Sequence, residues 1–201
     1  MVALSDVGSY VLWPRIVAAI ESAAPRVQVG MRTLPQLELA SALENGEVDL
    51  ALGAYPDLPP TLYQRRLFER QYVALVGKQH PLAGKRLGIK AFAQVPQAVV
   101  RLASGIQDRV DDVLLKHGYK RERVLEMPSY LMLPPLLEDG CYLAVMPGQL
   151  ADAFSRHGRF TSLKLPFELP TSTIRMHWHR RYHEDAGNVW LRGVVVDAFT
   201  V

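Results

Sequence analysis

Cysteine is almost absent from this sequence. Cys141 stands alone, so no intrachain disulfide can form, which suits a reducing compartment. Long apolar runs are missing as well: no segment approaches the roughly 20 apolar residues that cross a bilayer. Met1 leads directly into VALSDVGSY, with neither the basic nor the apolar part of a secretory leader. These absences predict a soluble, cytoplasmic chain with no membrane partner. There is no dense basic stripe either. Arg65–Arg66, Arg121/Arg123 and Arg180–Arg181 are short, scattered pairs, and the net charge is only +3. A nucleic-acid face needs clustered phosphate-neutralising groups, so direct DNA contact by these residues is not expected. Catalytic signatures are lacking too. No GxGxxG or other nucleotide phosphate loop occurs, and Ser104 lies in Ala-Ser-Gly rather than a GxSxG elbow. Cys141, within the apolar GCYLAV, is expected to be a buried, inert thiol. Neither an enzyme nor a cofactor is anticipated.

What is present is ordinary core material: 201 residues, 49% hydrophobic and 21% charged, enough for one large domain or two lobes of about 100 residues each. The most informative stretch is LENGEVDLALG (43–53), in which a helix end meets a glycine turn and a buried strand opens behind an acidic residue. The same order recurs along the chain: apolar strand, polar or Pro-containing loop, amphipathic helix. Val2–Leu4 reads as a strand, followed by a helix to about Ala24 capped by Ser5 or Asp6. Val27, Val29 and Met31 alternate as a strand to Thr33, and Pro35 opens a helix over Gln36–Glu44. A second series starts near Lys90–Ala93, with strands at Gln97–Leu102, Arg123–Met127, Tyr142–Met146 and Ser162–Leu165. Its helices are expected at Gln107–His117, Leu131–Asp139 and Gln149–His157. Long strands at 71–77 and 173–181 bracket it, and a helix at Asp185–Phe199 ends the chain. The pattern predicts an α/β fold with a discontinuous first lobe (1–74 plus 176–201), a second lobe (75–175), two crossover strands acting as a hinge, and a ligand cleft between the lobes.

Three segments in register, LENGEVDLALG, LFERQYVALVGKQHPLA (67–83) and MHWHRRYHEDAGNVWLR (176–192), resemble the effector-binding domain of LysR-type transcriptional regulators. The likeness is greatest to the branch with regulators of nodulation and aromatic-acid catabolism, and it covers essentially the whole chain. It implies a two-lobed, periplasmic-binding-protein-like (type 2) fold, each lobe a mixed sheet flanked by helices. It also implies a homodimer, with a tetramer of the full-length protein allowed. In such dimers the first helix and second strand of one chain pair with second-lobe elements of the other. The family's winged helix-turn-helix is not in this sequence, so DNA would be reached only through that segment. The implied ligand is a small aromatic or carboxylated metabolite. A solute-binding protein of a transporter shares the fold and is the alternative.

Candidate ligand contacts cluster at strand ends. Ser5-Asp6 open the first helix, where free N–H groups favour anions, although Ser5 also reads as a simple cap and Asp6 opposes a negative ligand. Thr33-Leu34-Pro35 follow the second strand. In the second lobe Arg101 is the permanent cation, suited to a bidentate carboxylate or else solvated or paired internally, with Ser104 beside it. Ser129-Tyr130 and Met146-Pro147 complete that rim; Tyr130 offers an aromatic face and a hydroxyl, or is plain core. His177 and His179 share one strand face and His183 can fold back towards them. No Cys or carboxylate stands at convincing zinc spacing, so a strand with one polar face is preferred to a metal site.

Overall fold

A computed structural model describes residues 1–102 and 105–199. The chain divides into two compact units, Met1–Glu69 with Ser172–Val201 and Arg70–Thr171. Among the described residues each unit holds one five-stranded sheet.

In the first unit β1 (Val2–Leu4) lies between β2 (Met31–Arg32) and β3 (Leu50–Gly53), parallel to both. The late strand β10 (Ser172–His179) pairs antiparallel with β3, Arg175 opposite Gly53 and His177 opposite Ala51, and β4 (Leu62–Arg70) closes the order β2-β1-β3-β10-β4. Period-two alternation assigns the faces. Val2, Leu4, Leu50, Leu52, Ile174, Met176 and Trp178 form one apolar layer with Ile16 and Ile20 of α2 (Trp13–Ala23) and Leu191 and Val195 of α8 (Ala186–Phe199). On the opposite face the small residues Ala3 and Ala51 admit Leu39, Ala42 and Leu43 of α3 (Gln36–Glu44).

The second unit repeats this plan. Strand β6 (Gln97–Val100) is parallel to β7 (Val124–Met127) and to β8 (Leu143–Pro147), while β5 (Tyr72–Gly77) runs antiparallel to β8 and to β9 (Phe160–Leu163). Helices α4 (Ile89–Gln94), α5 (Ile106–Lys116), α6 (Leu133–Glu138) and α7 (Gly148–Ser155) complete it. Phe92, Val110, Leu114, Leu143 and Val145 lie at the centre of its core.

Several expectations shift. The first helix breaks at Leu12 into α1 (Asp6–Val11) and α2, because Pro14 has no N–H to continue the ladder and is tolerated only in a first turn. The alternating Val27–Thr33 strand shrinks to Met31–Arg32, an edge strand whose residues are exposed. The strand expected to reach Leu102 stops at Val100, β9 begins at Phe160, and the helix expected over 131–139 is a 3₁₀ turn, Tyr130–Met132, followed by α6. Tyr72–Ala74 pair with β8 and β9 in the second sheet, and Arg175 pairs with Gly53 in the first, so the units part earlier at both crossings than the breaks placed after 74 and 175. Cys141 is exposed rather than buried, on the turn before β8, with Sγ 3.7 Å from the Asp139 carbonyl.

Gly77 shows how tightly β5 is covered. A Cβ there would stand 2.0 Å from the Leu137 carbonyl oxygen, whereas one on Gly193 in α8 meets nothing within 4 Å. Gly77→Ala is therefore expected to lose about 1–3 kcal/mol, read as a lower urea midpoint. Gly193→Ala is expected to gain about 0.5–1 kcal/mol from helix propensity. Equal midpoints for the two variants would contradict this packing.

Candidate functional site

Because β1 is parallel to β2 and β3, the carboxyl ends of these strands open on one edge of the first sheet, where connections leave in opposite directions and ligands of open α/β sheets bind. Ser5, Asp6, Thr33, Leu34 and Pro35 all lie along that edge. Ser5 Oγ accepts from the Gly8 N–H at 3.2 Å and Asp6 Oδ1 from the Val7 N–H at 2.7 Å, so side chains already occupy first-turn donors of α1. Thr33 and Pro35 are exposed, and Leu34 packs on the α3 side of the sheet.

The corresponding edge of the second sheet carries Arg101, Ser129, Tyr130, Met146 and Pro147; Ser104 lies outside the described residues. Arg101 is held by three carboxylates: Nε donates to Glu126 at 2.8 Å, Nη1 to Asp108 at 2.7 Å and Nη2 to Asp111 at 3.2 Å. The Glu126 hydrogen bond is the largest cause raising its pKa, with Asp111 assisting against desolvation. Ser129 Oγ caps the 3₁₀ turn by accepting from the Leu131 N–H. Tyr130, Met146 and Pro147 are buried.

A second cation, read from sequence only as part of a short, scattered pair, is buried here. The Arg121 side chain is 2% exposed. Nη2 donates to the Gln107 carbonyl and to Gln107 Oε1 at 2.9 Å, Nε lies 2.9 Å from Asp111 Oδ1 without hydrogen-bond alignment, and Nη1 has no hydrogen-bond partner. Gln107 Nε2 in turn donates to the Val145 carbonyl. Arg101, Asp111, Arg121 and Gln107 thus tie the start of α5 to β8. Burial lowers the Arg121 pKa, opposed by Asp111.

The histidines separate. Trp178 Nε1 donates to His183 Nδ1 at 3.2 Å and the two rings stack, with the Arg192 guanidinium 4.6 Å from the Trp178 ring centre. His183 therefore does not fold back towards His177 and His179, which face the opposite side of β10. Among the described residues no three His, Cys, Asp or Glu side chains are grouped to hold a metal ion. The polar face of β10 is buried: His177 is 2% exposed and His179 6%.

His177 lines a pocket of about 320 Å³ under the Pro-rich 55–60 loop, with Tyr55, Asp57, Leu58, Leu62, Gln64 and Arg175. Its Nε2 is buried without a hydrogen-bond partner, and its ring meets Tyr55 edge-on at 6.0 Å. Desolvation, with a contribution from Arg175, lowers its pKa to about 4. The signal in the sequence was the Arg175/His177 alternation among apolar residues, whose burial depended on a loop 120 residues away by chain order.

The LysR substrate binding domain family matches residues 1–200. The chain is 33% identical over 198 residues to the HTH-type transcriptional activator NahR of Pseudomonas putida, covering 98% of this chain and 66% of NahR. It therefore spans just under two thirds of that relative's length. Among solved structures, the regulatory domain of MexT, a transcriptional activator in Pseudomonas aeruginosa, matches with a TM-score of 0.82 at 24% identity, over 98% of this chain and 96% of that one. The BenM effector-binding domain with its effector benzoate matches with a TM-score of 0.74 at 14% identity, over 100% and 93%. These likenesses show the type 2 periplasmic-binding-like fold.

The buried imidazole sets a pH dependence. Its folded pKa of about 4 lies below the ordinary 6.5, so the unfolded chain takes up the proton first as pH falls. The His177 contribution to stability is expected to be nearly full above pH 6.5 and to decline towards pH 4, by about 2 kcal/mol at pH 5. Arg175, Asp57 and Tyr55 are the charged or titratable groups lining the same pocket. His177→Asn is expected to flatten most of this slope in denaturation midpoints between about pH 7 and pH 5. His80, also lowered by burial, supplies a remainder. An unchanged slope in His177→Asn would remove His177 as its source.

Proposed function

This chain belongs to the LysR substrate-binding-domain family, and we propose that it is the effector-sensing part of a cytoplasmic transcriptional regulator, not an enzyme. The match over residues 1–200, joined to two sheets that each open a parallel switch edge, is the observation that carries this reading. The effector is a small aromatic or carboxylated metabolite, and its candidate contacts are Ser5, Asp6 and Thr33–Pro35 at the first edge or Arg101, Ser129, Tyr130, Met146 and Pro147 at the second. Benzoate as the effector of BenM supports the ligand class, and the activator NahR supports a regulatory output. A solute-binding protein finds no such support in these relatives. The chain acts as a homodimer, and DNA is contacted by a helix-turn-helix segment outside this sequence. A ligand alters the output only through different affinities for two states of the protein.

Three carboxylates already share the Arg101 charge, so a ligand carboxylate competes with them for the guanidinium. This competition makes the assignment testable. At a hundredfold excess over its Kd, an effector is expected to raise Tm by about 5–10 °C. A screen in which aromatic acids leave Tm unchanged while other metabolites raise it would overturn the ligand class. Arg101→Ala is expected to weaken carboxylate binding. Asp108→Ala, by freeing Nη1 and removing a competing charge, is expected to tighten it by up to about fivefold. Identical affinities in both variants would take Arg101 out of the site.

A further inference from the structure

The pocket under the 55–60 loop is built differently from the strand-end edges. It lies on the α3 face of the first sheet, walled by Tyr55, Leu58 and Leu62, with Arg175 and His177 of β10 in its lining. Alternation along β10 puts these two side chains opposite Ile174, Met176 and Trp178, which are spent on the core. His177 is 2% exposed, and its Nε2 has no hydrogen-bond partner. A buried nitrogen left in that condition is destabilising and calls for a complementary group. Arg175 is half-buried, and among the described residues no carboxylate forms an ion pair with it. Asp57, the acidic member of the lining, is exposed and held at a φ of 57°.

We propose that this pocket is a second ligand site, confined to the first unit, for a small carboxylate with an apolar body. The Arg175 guanidinium takes the carboxylate, His177 Nε2 bonds one of its oxygens from the neutral ring, and Tyr55, Leu58 and Leu62 cover the body. A neutral imidazole suits this role because its N–H donates to an anion without a second charge being desolvated. Arg175 supplies the full charge and the fork geometry that a carboxylate matches. The volume of about 320 Å³ is within the range of small-molecule sites. Nothing in this assignment uses Thr33, Arg101 or the other strand-end residues, so it stands or falls separately from the effector reading above.

The test is a titration of the isotopically labelled chain with sodium benzoate, against sodium chloride at matched ionic strength, following the histidine ring resonances and the backbone amides. The expected result is a saturable shift of the His177 ring signal together with amides of the 55–60 loop. Arg175→Gln is expected to weaken that binding at least about tenfold, Arg175→Lys less. His177→Asn gives an independent variant, expected to weaken the loop-amide response while leaving the Thr33 amide response intact. A His177 signal that stays fixed throughout overturns the proposal, as does Arg175→Gln binding with wild-type affinity. Shifts confined to Ser5, Thr33 and the Arg101 region overturn it too, while supporting the strand-end site. A benzoate response in the 55–60 loop that persists in Thr33→Ala supports the second site even where the strand-end reading fails.

Discussion

The insertion of β10 between β3 and β4 is the constraint on which the first unit depends. This strand comes from the far end of the chain and must satisfy two different faces at once. Ile174, Met176 and Trp178 complete the layer beneath α2 and α8, while Arg175, His177 and His179 enter the opposite layer. Without it, β3 would be left with an open edge and α8 with no apolar floor. The residues after the strand anchor the arrangement. Asp185 Oδ1 accepts from the Asn188 N–H at the start of α8, Asn188 Nδ2 donates to the Asp49 carbonyl, and Arg192 bonds Asn188 and lies over Trp178. The closing motif MHWHRRYHEDAGNVWLR is thus a strand–helix packing unit in this protein.

The second unit obeys the same logic with β5 in the place of β10, entering antiparallel between β8 and β9. Each sheet therefore keeps three parallel strands whose carboxyl ends share one edge, and each edge is furnished with short polar loops. The electrostatics of the two edges differ. The first is dressed by caps from Ser5 and Asp6. The second is dominated by a network in which two arginines serve three acidic side chains, Arg121 buried and Arg101 at the surface. At the second edge the cations are thus already shared with carboxylates, whereas the first carries no such network.

Much of this was legible in the chain itself. Apolar periodicity placed α3 at its observed bounds and located β1, β3, β5 and α8 to within a few residues, because burial on one face writes a period of 3.6 or 2 into the sequence. Misplaced ends had local causes. Pro14 divided a continuous apolar stripe into two helices, and the Val27–Met31 alternation runs into a two-residue edge strand, with Val27 and Met31 exposed and Val29 packed against the core. Cys141 looked buried by its apolar neighbours, yet it occupies the turn before the strand those neighbours form.

By itself, then, the sequence determined the alternation of strands and helices, the division into two α/β series and the family, since each is recorded in local periodicity or short motifs. Tertiary structure alone decided which charges are occupied and which polar atoms are orphaned. Arg101 and Arg121 look alike in sequence, but one is shared among Glu126, Asp108 and Asp111 and the other is enclosed against Gln107. His177 and His183 look like members of one cluster, but the 3₁₀ turn after β10 lays His183 on Trp178, on the face opposite His177. The physical reason is the same in both cases. The free energy of a charge or a buried nitrogen depends on groups within a few ångströms in space, and those groups come from segments that the order of residues does not bring together.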